Sequence, residues 1–428
     1  MQGEPRHVFV GFGFGPIQSG LFAKEAYGSG RFAEIAVAEV DPALVAAVRA
    51  NGGRYALNVA NEDGIETVAV EGVTLLNPND PTDLPRLREA LGRATEIVTS
   101  LPSVAFFSRG GETSVAGLIA EGLKGGGAAR TVVYTAENNN HAAEILEREA
   151  RQAAGAAAWR PAQFLNTVIG KMSQVIAEPE EIARRGLAPV TPGFPRAFLV
   201  EAFNRILVSR ITLPGFTPGI AAFEEKDDLL PFEEAKLYGH NAAHTMLGFL
   251  GARAGATRLS ELRGDAAAMG LVRQAFLEEA GRALTARHAA LGDPLFTPEG
   301  FRGYVDDLLR RMTNPHLADT VARAVRDPLR KLGYADRMFG ALRLCLAHGV
   351  EPACLAAGAA AGLETLAADA ACPDGAAFRR LREGAALDAG AFGAALEAVW
   401  GGGVPAEERA AVAALLAAAQ ARRNGGRA

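Results

Sequence analysis

Residues 7 to 41 constrain the fold of this chain more than any other stretch. The apolar run His7-Val8-Phe9-Val10 enters Gly11-Phe12-Gly13-Phe14-Gly15-Pro16-Ile17-Gln18-Ser19-Gly20, and Leu21, Phe22 and Ala23 follow. That order predicts a strand, a glycine turn and a helix. Gly13 and Gly15 permit a tight turn and close approach of a pyrophosphate to the backbone. Pro16 suits an early helical position, where its missing N–H costs nothing. Gln18 stands where a third glycine is usual, and Gly20 would let the helix pack closely on a strand. The next strand, through Ile35 to Ala38, ends in Glu39-Val40-Asp41-Pro42. An acid at this point binds ribose hydroxyls and repels a 2′-phosphate, so Glu39 favours NAD over NADP.

The same alternation continues. Glu96-Ile97-Val98-Thr99-Ser100 and Thr131-Val132-Val133-Tyr134-Thr135 read as further strands with a helical stretch between them, which predicts an α/β domain with a Rossmann-like, doubly wound parallel sheet. Ligands in such sheets bind beyond the carboxyl ends of the strands, which places Thr99, Ser100 and Glu137-Asn138-Asn139-Asn140-His141 there. From Glu178 the pattern changes to segments punctuated by Pro179, Pro189, Pro192, Gly193 and Pro195, then to helical stretches almost without β-branched runs. The expected division is a dinucleotide-binding domain over 1–195 and an all-helical C-terminal domain over 196–428. Helices are expected through Leu259 to Leu284, Phe301 to Met312, Leu317 to Arg330 and Ala335 to His348. Beyond Ala353 the alanine- and glycine-rich composition predicts short helices broken by Pro373, Gly375 and Gly384.

Two domains also follow from the length of 428 residues. Apolar residues at 49% against charged residues at 22% suit a globular protein in water, and no apolar run approaches the length of a membrane span. Val8-Phe9-Val10 is too short for a secretory h-region. A net charge of -5 argues against a nucleic-acid surface. The three cysteines, Cys345, Cys354 and Cys372, form no CxxC, so buried thiols in a reducing, cytoplasmic compartment are expected.

The chemistry concentrates in Lys236-Leu237-Tyr238-Gly239-His240-Asn241-Ala242-Ala243-His244, which runs into the apolar Met246, Leu247, Phe249 and Leu250. On an α-helix at about 100° per residue, Lys236, His240 and His244 fall within roughly 80°, with Asn241 about 60° further round. A Lys amine can take or return a proton, while an Asn amide and an imidazole N–H can hold an oxygen that gains negative charge. An exposed polar stripe is the plain alternative, but Gly239, Ala242 and Ala243 between the polar residues suit close packing instead. A zinc site is the other alternative, because His240 and His244 have the i, i+4 spacing of metal ligands. Asn241 replaces the glutamate such helices use, and no third ligand is evident, so no metal is expected.

Taken together these residues resemble the mannitol-1-phosphate 5-dehydrogenase and mannitol dehydrogenase family, the polyol-specific long-chain dehydrogenases, across nearly the whole chain. Gly13-Phe14-Gly15-Pro16-Ile17 is similar to the family's GxGxI turn, Ala38-Glu39-Val40-Asp41 to its acidic strand end, and Glu137-Asn138 to its acid-Asn pair. Lys236, Asn241 and His244 match its K-x4-N-x2-H signature. Asn314-Pro315, Asp327-Pro328-Leu329-Arg330-Lys331-Leu332 and Asp336-Arg337 are similar to downstream family segments. The resemblance implies a metal-independent oxidoreductase that moves a hydride between a secondary alcohol of a sugar alcohol and NAD. By the same resemblance Lys236 is the acid/base, Asn138 and Asn241 hold the reacting oxygen, and His244 orients the substrate. Gly13, Gly15, Pro16, Ile17, Glu39, Thr99, Ser100 and Glu137 then face the cofactor.

Burial beside His240, His244 and the oxidised cofactor would bring Lys236 toward roughly 7 to 8 from an ordinary value near 10.4. Arg330, Lys331 and Arg337 form a basic cluster in which at least one is expected to receive a phosphate or other anion, with His240 also near the substrate. Ile169-Gly170-Lys171-Met172 departs from the family's Val-Asp-Arg-Ile, which removes a carboxylate from the substrate pocket. The expected partner is a small polyol or sugar phosphate, the expected state a monomer or small homo-oligomer, and neither nucleic acid nor membrane is involved. A related reductase acting on a sugar acid, or a nucleotide-binding sensor without turnover, are the competing functions. The retained base counts against the sensor.

Overall fold

The computed structural model describes residues 7–125 and 130–425. The chain divides into two compact units, Met1–Leu230 and Pro231–Ala428, which corrects the boundary expected near residue 195. Strands that follow that point still belong to the first unit.

In chain order the strands are β1 (His7–Phe12), β2 (Phe32–Ala38), β3 (Tyr55–Ala60), β4 (Ile65–Val70), β5 (Val73–Leu76), β6 (Glu96–Thr99), β7 (Thr131–Thr135), β8 (Ala162–Ile169), β9 (Ser173–Ile176), β10 (Ala197–Glu201), β11 (Ile206–Ser209) and β12 (Phe223–Lys226). Eight of them form one sheet in the order β12-β11-β8-β7-β6-β1-β2-β5, and β4-β3-β10-β9 form a second. From β5 through β8 every pair is parallel, and β11 returns antiparallel to β8. The sheet is therefore doubly wound as expected, extended by a mixed edge.

Period-2 alternation sends successive side chains to opposite faces. Val10, Phe12, Ile97 and Val133 pack with Leu87, Leu91, Leu118, Ile119 and Leu146, which lie on the helices Leu84–Arg93, Val115–Leu123 and Ala142–Ala154. Phe9, Val98, Val132 and Tyr134 on the other face join Leu21, Phe22, Leu44, Val48, Tyr55 and Leu57. Each fully buried large apolar side chain contributes on the order of 1.5–3 kcal/mol. The second sheet was not expected, because β3 carries Asn58, a residue depleted in strands. Its buried amide donates to the carbonyls of Ala188 and Phe198 at 2.8 and 3.0 Å, which satisfies it inside the core.

Gln18 proves to be part of the packing. The first helix opens with wide, π-type turns over Gln18–Ala23 before Lys24–Ser29 continues as α-helix. The Gln18 side chain is fully buried, and a Cβ on Gly11 would lie 1.8 Å from its amide nitrogen. The bare backbone of β1 thus makes room for the glutamine. Gly20 does pack closely, against Val200 of β10, where a Cβ would approach to 2.6 Å.

The second unit contains no strand among its described residues. Its central helix begins with π-type turns over Ala235–Asn241 and continues as α-helix through Ala242–Ala254, ending at Gly255 in the left-handed region. Met246, Leu247, Phe249 and Leu250 are buried, and glycines let neighbours close in. Gly239 meets the Phe276 ring, Gly248 meets Ala324, and on the helix Ala353–Ala367 Gly358 and Gly362 receive Met246 and Phe249. Leu317 to Arg330 is not one helix: Val321–Val325 and Pro328–Lys331 are separated at Asp327, whose φ is 58°. Beyond Ala353 the helices are longer than expected, with 15 residues in Ala353–Ala367 and 20 in Ala406–Gly425. Gly375 and Gly384 still bound the short helix Ala376–Arg382 as expected, while alanine's high helix propensity sustains the longer ones. No helix among the described residues is long and apolar enough to cross a membrane.

Candidate active site

In the first unit β2 lies on one side of β1 and β6 on the other, so the strand order reverses at β1. Ligands bind at such a point, beyond the strand ends. A cleft of about 650 Å³ opens there, lined by Gly13, Phe14, Gly15, Pro16, Ile17, Glu39, Val40, Asn79, Ser100, Leu101, Phe106 and Arg109 among others. Gly13 has φ 79°, and a Cβ on it would stand 2.7 Å from the Ser100 carbonyl oxygen. A Cβ on Gly15 meets nothing within 4 Å, so the space above it is open to a ligand. Glu39 is fixed by accepting the Phe14 N–H and the Asp41 N–H, both at 2.8 Å. Asp41 in turn caps the helix Pro42–Ala50 by accepting from Ala43 and Leu44. The acid that ends β2 is thereby held rigidly at the rim.

Thr99 and Glu137 take a different position from the one expected of them. Neither lines the cleft. Both are buried; the Thr99 hydroxyl donates to Glu137 at 2.8 Å, and the Leu101 N–H donates to its other oxygen at 2.8 Å. Burial raises the Glu137 pKa. The pair braces the ends of β6 and β7 behind the cleft, while Asn138 next to it is exposed. Sequence reasoning missed Arg109, the one cation among the described residues that line the cleft, whose guanidinium lies 4.1 Å from the centre of the Phe106 ring. A lone arginine in a loop carries no periodic signal.

In the second unit the π-type turn changes the geometry expected of an α-helix. Hydrogen bonding to the fifth residue brings side chains five apart onto one face, and such turns concentrate at functional sites. Lys236 and Asn241 are five apart, so the wide turn brings the two positions closer to one face than an α-helix would. Burial lowers the Lys236 pKa to about 8, with Glu233 opposing the shift and Arg337 adding to it. His240 is only 7% exposed, and burial together with His244, Arg311, Lys236 and Arg337 pushes its pKa well below the usual range. It sits beneath the site as a neutral ring, with little surface to offer a substrate. His244 has Nε2 2.7 Å from Asp319 Oδ2.

The basic cluster separates into distinct environments. Lys331 is buried and donates to the Ala324 carbonyl at 2.6 Å; burial, then Arg337 and Arg330, lower its pKa to about 8. Arg330 is exposed and pairs with Asp327 and Asp336 at 2.6 and 3.3 Å. Arg337 pairs with Asp336 at 2.7 Å and is the member whose charge reaches Lys236 and His240. Arg311, which sequence reasoning also missed, acts on His240 in the same way. Lys171 donates to the carbonyls of Glu201 and Phe203 at 2.6 and 2.7 Å. A Cβ on the neighbouring Gly170 would meet only the Phe203 ring, at an ordinary contact distance of 3.6 Å. Among the described residues no three His, Cys, Asp or Glu side chains gather to hold a metal. Cys345, Cys354 and Cys372 are free thiols, and only Cys372 is not buried.

A doubly wound sheet with a cleft at its switch point is a Rossmann-type, dinucleotide-binding fold, and the helical unit that follows it in the chain carries a lysine of lowered pKa. The sequence pattern of the mannitol dehydrogenase C-terminal domain matches residues 228–369. The mannitol-1-phosphate 5-dehydrogenase of Pseudarthrobacter chlorophenolicus is 32% identical over 388 residues, covering 89% of this chain and 91% of that one. The chain belongs to the mannitol-1-phosphate 5-dehydrogenase and mannitol dehydrogenase family. Two solved structures share its fold. A substrate-free D-sorbitol dehydrogenase superposes with a TM-score of 0.73 at 16% identity, covering 98% of this chain and 94% of that one. The Pseudomonas fluorescens mannitol 2-dehydrogenase in complex with NAD and D-mannitol gives 0.65 at 15% identity, covering 99% and 93%.

Proposed function

We propose that this chain is an NAD-dependent dehydrogenase acting on a polyol phosphate of the mannitol-1-phosphate kind, with Lys236 as a metal-independent acid/base. The observation that carries the reading is the lowered pKa of Lys236, about 8, on the π-type turn that also holds Asn241. An amine of that pKa exists in both forms near neutrality, as a group must that accepts a proton in oxidation and returns it in reduction. The open space above Gly15 and the fixed carboxylate of Glu39 fit the pyrophosphate and ribose of a dinucleotide. When bound, the nicotinamide supplies the hydride acceptor. Lys236 takes the hydroxyl proton, the Asn241 amide donates to the oxygen as it becomes a carbonyl, and His244 orients the neighbouring hydroxyls. Positive charge from Arg337 and Arg311 favours an anionic substrate, and Arg337 is the proposed phosphate contact. A sugar acid is the second reading, since the same cations would take a carboxylate.

The test is NADH oxidation with fructose 6-phosphate, fructose and a uronate, before and after prolonged chelation. Fructose 6-phosphate is the ketose related to mannitol 1-phosphate by oxidation at C5. Preference for it, with activity surviving chelation, is the expected result; a uronate preference would favour the second reading, and zinc-restored activity would overturn the metal-independent mechanism.

Arg337→Ala should raise KM for fructose 6-phosphate by about tenfold or more and leave KM for fructose nearly unchanged. The same change removes a charge that lowers the Lys236 pKa, so the limb on which polyol oxidation rises should move to higher pH. An unmoved limb would show that Arg337 does not act on the base.

For the cofactor, kcat/KM with NADH should exceed that with NADPH, because Glu39 faces the 2′ position. Glu39→Gln should narrow the gap, and Arg109→Ala should raise KM for NADH several-fold with kcat little changed. Equal efficiency with the two cofactors in the unaltered enzyme would refute the role of Glu39.

A further inference from the structure

Asp319 is nearly inaccessible, with a side chain only 1% exposed, yet it carries a carboxylate that no metal or backbone cap explains. It sits in a short segment held from both sides. The Asp319 carbonyl accepts the Leu259 N–H at 2.9 Å, the Val321 N–H donates to the Thr257 carbonyl at 3.0 Å, and Thr320 bridges to Arg258. The residue before it, Ala318, is buried with φ 54°, a left-handed conformation that alanine adopts only where its surroundings impose it. One carboxylate oxygen accepts from Arg323 at 2.8 Å, and the other faces His244 Nε2 at 2.7 Å. Burial raises its pKa, but the hydrogen bonds and charges of His244 and Arg323 outweigh that and hold it at about 2. The carboxylate is therefore ionised across the working range and can only accept.

An obligate acceptor on one ring nitrogen decides what the other can do. In the neutral imidazole the proton must reside on Nε2, leaving Nδ1 as an acceptor. Nδ1 makes no hydrogen bond within the described residues. We infer that Asp319 is the positioning residue of the site: it fixes the His244 tautomer so that Nδ1 accepts a proton from a substrate hydroxyl next to the reacting carbon. The imidazole then serves as an acceptor for a neighbouring hydroxyl, and stabilisation of the reacting oxygen falls to the amides and Lys236. Arg323 holds the carboxylate from the far side, so that rotation of Asp319 costs a second charged hydrogen bond.

This inference rests on the reading that a polyol hydroxyl meets the Lys236 helix, and the experiment separates the two. In the unaltered enzyme with histidine labelled by 15N, the His244 resonances, assigned by their loss in His244→Ala, should show at pH 7.5 one protonated nitrogen, Nε2, and one pyridine-like nitrogen, Nδ1. A proton on Nδ1, or a doubly protonated ring, overturns the inference whether or not any substrate is turned over. Kinetics with fructose 6-phosphate provide the second arm. Asp319→Asn should lower kcat/KM by about tenfold or more with NADH affinity unchanged, because the side chain no longer dictates the tautomer. In the His244→Ala background the same substitution should cost nothing further, since Asp319 acts through the ring. Additive losses would overturn the inference and mark Asp319 as merely structural. If the unaltered enzyme turns over no member of the substrate panel, the proposed function fails while the resonance measurement still decides the role of Asp319.

Discussion

Lys236→Ala is expected to lower turnover by about 10²-fold or more, equivalent to about 2.7 kcal/mol of lost transition-state stabilisation, while NADH binding to the first unit stays nearly intact. The amides of Asn138 and Asn241 cannot titrate, and His240 is held neutral by burial and surrounding positive charge. The sign of the pH dependence follows from the direction of the shift. Oxidation needs the free amine, so its rate rises as pH passes the lowered pKa of about 8, and reduction needs the ammonium, so its rate falls across the same range. Removing the amine should abolish both limbs. Stopped-flow turnover with matched NADH-binding titrations checks this; near-normal turnover with an unchanged limb would move the base elsewhere, first to His244.

Gly13→Val is expected to weaken NADH binding by at least tenfold and to lower stability by about 2 kcal/mol. The backbone at Gly13 is in the left-handed region, which costs a residue with a Cβ roughly 1–2 kcal/mol, and that Cβ would come within 2.7 Å of the Ser100 carbonyl oxygen. Neither β1 nor β6 can yield easily, because they are hydrogen-bonded neighbours at the centre of the sheet. Gly15→Ala is the control. Its Cβ meets no protein atom within 4 Å, so stability should hold while NADH affinity falls, the methyl group occupying space a pyrophosphate would use. Thermal unfolding and NADH titration of the two variants separate fold from ligand. Unchanged NADH affinity in both would show that the dinucleotide does not use this turn.

The two candidate regions were legible to different degrees. The glycine-turn region was read almost directly as structure, since a glycine turn between a strand and a helix is a local feature, and Gly13, Gly15, Pro16, Ile17, Glu39 and Ser100 all line the cleft. Thr99 and Glu137 lie in the same stretch but turn inward to each other. The side on which a residue leaves the end of a strand depends on where the chain bends, which no pattern of spacing fixes. On the Lys236 helix the residue types were legible, but the geometry was not. Seven residues that read as α-helix take a wider turn, and Gly239, packed beneath the Phe276 ring, lies within it.

What the sequence by itself determined was whatever rests on neighbours along the chain: the parallel strands around the glycine turn, the position of the acid after β2, the helical character of the second unit and the placement of Lys236, Asn241 and His244 on one helical segment. Only the tertiary structure decided the rest. Strands β10 to β12 join the first unit because β10 pairs with β3, β11 with β8 and β12 with β11, and short segments of that kind carry no period of their own long enough to identify them. Asp319 reaches His244 across 75 positions of sequence. Lys331 and Arg337, six residues apart, are separated in environment because one ammonium is consumed by a helix-end carbonyl while the charge of the other cation acts on Lys236. Burial and through-space charge set the pKa of Lys236, and neither exists until the chain has folded around it.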